Sequence, residues 1–207
     1  MGLVKGKPVG SAEKAEPIEQ KSGEELAAAL EDSDATVRRH AAQKMTSCRD
    51  ASAALVSRLK REENTAVREA ILNTLVLLDG PLTVSGLAEC LRSEDAALRN
   101  DVIEAFKRLG PEAAPILRSL LTDPDADVRI FAVNILDSEC HPDMEQWLIE
   151  VIERDAHVNV CATAVDLLCE VGTDAAIDPL LGLKARFARE PYIQFAANLA
   201  LKRIREI

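Results

Sequence analysis

The chain has 207 residues, and its 35 acidic against 25 basic side chains give a net charge of −10, a field that repels phosphate backbones and anionic lipid and so argues against nucleic-acid and membrane partners. No apolar run reaches the ~18 residues of a membrane span, the N-terminus lacks a secretory pattern, and Gly6 stands where a myristoylation signal needs Ser or Thr. Five cysteines without a Cys-x2-Cys pair suit reduced thiols, so the cytoplasm is the expected compartment.

Residues 1–22 are rich in Gly, Pro, Lys and Glu without apolar periodicity and read as a flexible N-terminal tail. Four lysines against three glutamates give the tail +1, which leaves −11 on residues 23–207. From Ser22 onward the pattern alternates short helix, acidic turn, longer helix. In the first unit Leu26, Ala29 and Leu30 face inward on one helix. Val37, Ala41, Met45 and Cys48 do so on the next, spaced as one face of a 3.6-residue period. The second unit repeats this with Val56 and Leu59, then Val67, Ile71, Leu75 and Leu78. The third has Leu87 and Leu91, then Leu98, Val102, Phe106 and Leu109. Asp79-Gly80-Pro81 and Gly110-Pro111 close these units, with each Gly assigned the left-handed cap and each Pro blocking continuation.

The fourth unit carries Ile116, Leu117 and Leu120, then Val128, Ala132, Ile135 and Leu136. The fifth carries Trp147, Leu148 and Val151, then Val158, Ala162, Val165, Leu168 and Cys169. The sixth has a longer first helix, roughly 174–189, and a second helix through Ile193, Ala197, Ala200, Leu201 and Ile204. The six units are therefore 23–50, 51–80, 81–110, 111–141, 142–172 and 173–207.

One phrase opens the second helices. Asp34-Ala35-Thr36-Val37-Arg38 recurs as Asn64 to Arg68, Asp95 to Arg99, Asp125 to Arg129 and Asp155 to Asn159. A fixed period of about 30 residues marks a stacked array rather than a single-centred core. The phrase resembles the HEAT repeat, and more narrowly the short bacterial HEAT-like units of phycobilisome lyase subunits. That resemblance implies an all-α, right-handed α-α superhelix of about six helical hairpins. It also implies a structural ladder of hydrogen bonds between repeats, carried by Asp34, Arg38, Arg68, Asp95, Arg99, Asp125, Arg129 and Asp155. The ladder lapses at Asn64, Asn159 and Gln194.

Chemistry-bearing constellations are sparse. Cys140, His141, His157 and Cys161 form the best candidate zinc set, but tight Cys-x2-Cys or His-x3-His pairs are missing, so no metal is expected. Cys48 and Cys169 share a core position with Leu78 and Leu109 and read as small hydrophobes. No nucleophile–base order or phosphate loop appears, so neither catalysis nor a cofactor is expected.

The informative anomaly lies on the second helices, which line the concave face of such stacks. Two residues after the anchor, about 200° round, the chain reads Arg39, Glu69, Asn100, Ile130, Val160 and Phe195. Nine after, it reads Thr46, Val76, Lys107, Asp137, Leu167 and Lys202. Ile130, Val160, Leu167 and Phe195 would form an apolar partner-binding patch, with Asn73, Glu104 and Asn134 as its polar rim. Burial by curvature or by the sixth unit is the competing account. The expected function is a non-catalytic scaffold or adaptor binding a protein, in signalling or complex assembly. A bilin lyase-like or chaperone subunit and a homodimeric module are the alternatives. Nucleic-acid binding ranks last, because the two series offer only Arg39, Lys107 and Lys202 as cations.

Overall fold

The structure, a computed structural model, describes residues 22–48, 50–109, 113–136 and 141–206. The expected tail therefore lies almost wholly outside the described residues, as do Gly110-Pro111 and Cys140.

Short polar side chains set the helix starts. Ser22 and Glu25 form a reciprocal capping box that opens α1 (Gly23–Ala29). Asp34 accepts from the Thr36 amide at 2.7 Å to start α2 (Ala35–Lys44), which runs into a 3-10 turn, Met45–Ser47. Asn64 and Asp95 cap α4 (Thr65–Leu78) and α6 (Ala96–Phe106) in the same way. Their partners in the hairpins are α3 (Ala51–Leu59) and α5 (Pro81–Cys90). The later pairs are α7 (Ala114–Leu120) with α8 (Ala126–Leu136), and α9 (Met144–Arg154) with α10 (Val158–Val171). The last is α11 (Ile177–Arg186) with α12 (Pro191–Arg205), and a 3-10 turn at Asp174–Ala176 precedes α11. The first helix of the sixth unit is thus shorter than its sequence suggests, and Pro179 sits in its first turn, where a missing amide leaves no bond unmade.

The hairpins stack in register. Each second helix packs on the next, from α2 through α4, α6, α8 and α10 to α12, while α1, α3, α5 and α7 stack behind them, as do α9 and α11. One continuous apolar core results, from Leu26 to Ile204. Each fully buried Leu or Ile in it contributes about 2 kcal/mol. Close approach is local. A Cβ on Gly86 of α5 would stand 2.6 Å from Val56 of α3, so only glycine admits this crossing.

Two further details differ from the sequence reading. At the end of α4 the residue with positive φ is Asp79 (φ 26°), while Gly80 is extended. Proline 81 explains the exchange: it requires an extended residue before it, so the left-handed turn moves back by one. The fifth unit also shifts its register. The caps Asp34, Asn64 and Asp95 lie three residues before Val37, Val67 and Leu98, but α10 starts only after His157, so its first buried position is Val160. Val160, Ala164, Val165 and Leu168 are each 0 % exposed, whereas Val158, Ala162 and Cys169 are half-buried.

Candidate functional site

The turn inside each of the first five hairpins is a repeated device. A side chain two residues before the helix cap accepts the amide of the cap residue. Asp32, Glu62, Ser93, Asp123 and Asp155 serve Asp34, Asn64, Asp95, Asp125 and His157 in this way. The arginine one position after the anchor then donates to the carbonyl of that same turn residue. Arg38 bonds Asp32 O, Arg68 bonds Glu62 O, Arg99 bonds Ser93 O and Arg129 bonds Asp123 O.

Across the unit boundaries the ladder is uneven. Arg38 grips the Glu62 carboxylate through two bonds of 2.8 and 2.9 Å, so the lapse expected at Asn64 is filled two residues earlier. Burial pushes the Glu62 carboxyl up, but Arg38, the Asn64 amide and Arg58 outweigh it and hold it at about 2. Arg129 grips Asp155 likewise, at 2.6 and 3.1 Å. Arg68 reaches Asp95 at 2.8 Å and Asp101 at 3.4 Å, and its Nε is buried without a partner. Arg99 lies over the Phe131 ring at 5.7 Å, and no ion pair joins it to Asp125, whose side chain accepts the Asp127 amide. Asp34 and Asp125 are thus capping residues and not rungs between repeats.

The register shift places Cys161, not Asn159, at the arginine position of the fifth unit. Its thiol donates to Asp155 O at 3.3 Å, and Arg186 of α11 reaches back to Asp155 O, Glu153 O and the Cys161 sulfur. Burial pushes the Cys161 thiol up, and the Cys90 thiol, buried between α5 and its neighbours, stands at about 11. Three of the four candidate zinc ligands are described. His141 stacks on Trp147 at 4.4 Å, Cys161 belongs to the ladder, His157 is exposed, and Cys140 is not among the described residues.

With the ladder in this register, the 207-residue chain can be set beside known proteins. A family model of HEAT repeats matches residues 23–107. That segment, the first three hairpins, is similar to HEAT repeats. No curated protein matches the chain. Among solved structures, the CpcE–CpcF complex of phycocyanin lyase from Nostoc sp. PCC7120 is 19% identical, with 95% of this chain and 100% of that one covered and a TM-score of 0.37. A designed armadillo repeat protein is 17% identical over 87% and 98%, with a TM-score of 0.42. An engineered protein is 18% identical over 89% and 96%, with a TM-score of 0.41.

The second-helix face of the array is mostly polar toward its N-terminal end, with Arg39, Glu69, Asn100 and Glu104 all exposed. Asn73 is half-buried and accepts from Arg108 at 2.8 Å, and Glu104 pairs with Lys107. Further on, the expected apolar patch divides. Val160 and Leu167, at 0 % and 7 % exposed, are core residues of α10, because the late start of that helix rotates them into its contacts with α8 and α12. Ile130 is half-buried, Asn134 is exposed, and Phe195 is 65 % exposed.

In the corrected register Ala162 takes the place of Val160, and the row runs Ile130, Ala162, Phe195. Asp166 and Cys169 now belong to the same face. The sequence reading also missed Tyr192 and Leu199, exposed at 53 % and 48 % beside Phe195 on α12. Their spacing from Phe195, three and four residues, was the available signal. Tyr192 donates its hydroxyl to Asp166 at 2.8 Å, which together with burial holds the phenol above its ordinary range. Elsewhere, a cleft between α7 and α9 is lined by Arg118, Arg129 and Arg154. Each of these is already paired, Arg118 and Arg154 with a shared Glu150 and Arg129 with Asp155.

Proposed function

We propose that this chain is a non-catalytic scaffold that holds a protein partner on the concave, C-terminal half of its second-helix face. The observation that carries this reading is the exposed stripe Tyr192, Phe195 and Leu199 on α12, continued by Ala162 and Ile130 on the two preceding second helices. Large apolar side chains at helical spacing on an outer face cost solubility and do nothing for the core, which is the ordinary mark of an interface. Asp166, Asn134, Glu104 and Lys202 supply a polar rim, and the array's net charge favours a partner whose own rim is basic. Stacked helices present the surface already ordered, so little side-chain and loop entropy is lost on binding. The unpaired Cys48, Cys90, Cys161 and Cys169 suit a reducing compartment, and we place the scaffold in the cytoplasm.

Phe195→Glu tests this reading. Proteins captured by the wild-type chain should be lost from the variant and retained by Leu77→Glu, an equally exposed apolar site on α4. Unfolding free energy should move by less than about 0.5 kcal/mol in both, as for other surface changes. Capture that survives Phe195→Glu would remove the C-terminal half of the face from the account.

A further inference from the structure

We propose that the occupant of the α12 face is a second copy of this chain, with the two α12 helices packed antiparallel about a two-fold axis midway between Phe195 and Leu199. This rests on reading the face as a protein-binding surface. Tyr192, Phe195, Leu199 and Lys202 follow one another at three, four and three residues, a narrow seam of the kind helices pair through. The seam is about 15 Å long at the helical rise. Among the described residues no helix covers it.

Charge chooses the partner and its direction. The N-terminal end of the seam is negative: Asp166 stands at the Tyr192 hydroxyl, and Glu190 precedes the helix. The C-terminal end is positive, with Lys202 and Arg205 exposed and Arg203 already paired with Glu170. Among the described residues Lys202 meets only Glu206, at 3.8 Å. An antiparallel pair sets Phe195 against Leu199 of the second copy twice over, and brings each Lys202 to the other copy's Tyr192 and Asp166. A parallel pair would set Lys202 on Lys202 and Asp166 on Asp166. The surface is therefore complementary to itself in one direction only, which is what an isologous interface requires. Three apolar side chains are a small core beside the roughly 800 Å² per partner of a standard interface, so the association is weak and concentration-dependent.

Sedimentation equilibrium of the full chain from about 5 to about 500 µM tests the proposal across the affinity range of small interfaces. The wild-type mass should rise from 22.5 kDa toward twice that value, and Phe195→Glu should remain monomeric. Lys202→Glu should weaken association about tenfold, and the charge swap Lys202→Glu/Asp166→Lys should restore most of it. A wild type that stays monomeric throughout overturns self-association, while the capture experiment with Phe195→Glu still decides the wider protein-binding reading. If the mass rises but the charge swap gives no rescue, the antiparallel pairing is wrong. If Phe195→Glu loses cooperative unfolding, Phe195 is core, and both readings fall together.

Discussion

Glu62 is 2 % exposed and receives four hydrogen bonds, two from Arg38, one from Arg58 and one from the Asn64 amide. Its carboxyl sits at about 2 against an ordinary 4.5, so the ionised form is the one the fold stabilises. That contribution is complete above pH 4.5 and drains away as pH falls toward 2. Glu62→Gln should therefore cost about 3 kcal/mol at pH 7, because it strands a buried arginine. Urea titrations at pH 7 and pH 3 should find the gap between wild type and variant narrower in acid. An equal gap at both would assign the loss to packing. Arg68 presents the opposite case. Ser93 occupies the turn position that Glu62 holds in the second unit and Asp155 in the fifth, and it is too short to reach Arg68 of the preceding unit, so Arg68 Nε is left bare. Ser93→Asp keeps the bond to the Asp95 amide and adds the missing acceptor. It should raise stability by about 1 kcal/mol, measurable as a higher urea midpoint at unchanged slope.

Helix α10 marks where sequence and structure part. Asp155-Ala156-His157-Val158-Asn159 imitates the repeat phrase, yet Asp155 plays the turn-residue part that Asp32, Glu62 and Asp123 play, and the helix begins two residues later. The register follows burial, not the phrase. Val160→Ala should cost about 2 kcal/mol and Val158→Ala well under half of that, a comparison that thermal melts can make directly. The sequence held the better signal: Val160, Ala164, Val165 and Leu168 reproduce the spacing of Val67, Ile71, Leu72 and Leu75 more faithfully than Val158 and Ala162 do. Hairpins, period and most buried positions were legible because each unit repeats a local rule of cap, anchor and arginine. The ladder's true acceptors and the role of Arg186 were not. They depend on which side chain reaches a neighbouring turn, and a one-dimensional pattern does not carry that distance. The exposed stripe on α12 was half legible, since Phe195 stood out by position while Tyr192 and Leu199 offered only their spacing from it, and their exposure depends on how the helix is oriented.

At the scale of the whole molecule, an array without a single centre is only as cooperative as its seams. The seam between the third and fourth units lacks an arginine–carboxylate rung from Arg99, and relies on Arg92 with Asp123 at the turn edge. The next seam depends on Arg129, which holds its own turn through Asp123 O and Pro124 O and the following turn through Asp155. Beyond it lies Trp147, the only tryptophan, 9 % exposed between His141 and the Arg118 guanidinium. The chain thus carries one tryptophan reporter, set at the seam between the fourth and fifth units. Arg129→Ala removes the rung and leaves Asp155 half-desolvated, at a cost of about 3 kcal/mol to that seam. The last two units should then open before the rest, so Trp147 fluorescence should change at lower urea than far-UV helicity, where the wild type gives coincident curves. Coincident curves in the variant as well would mean that the packing of α10 on α8, and not the ladder, joins the two halves of the array.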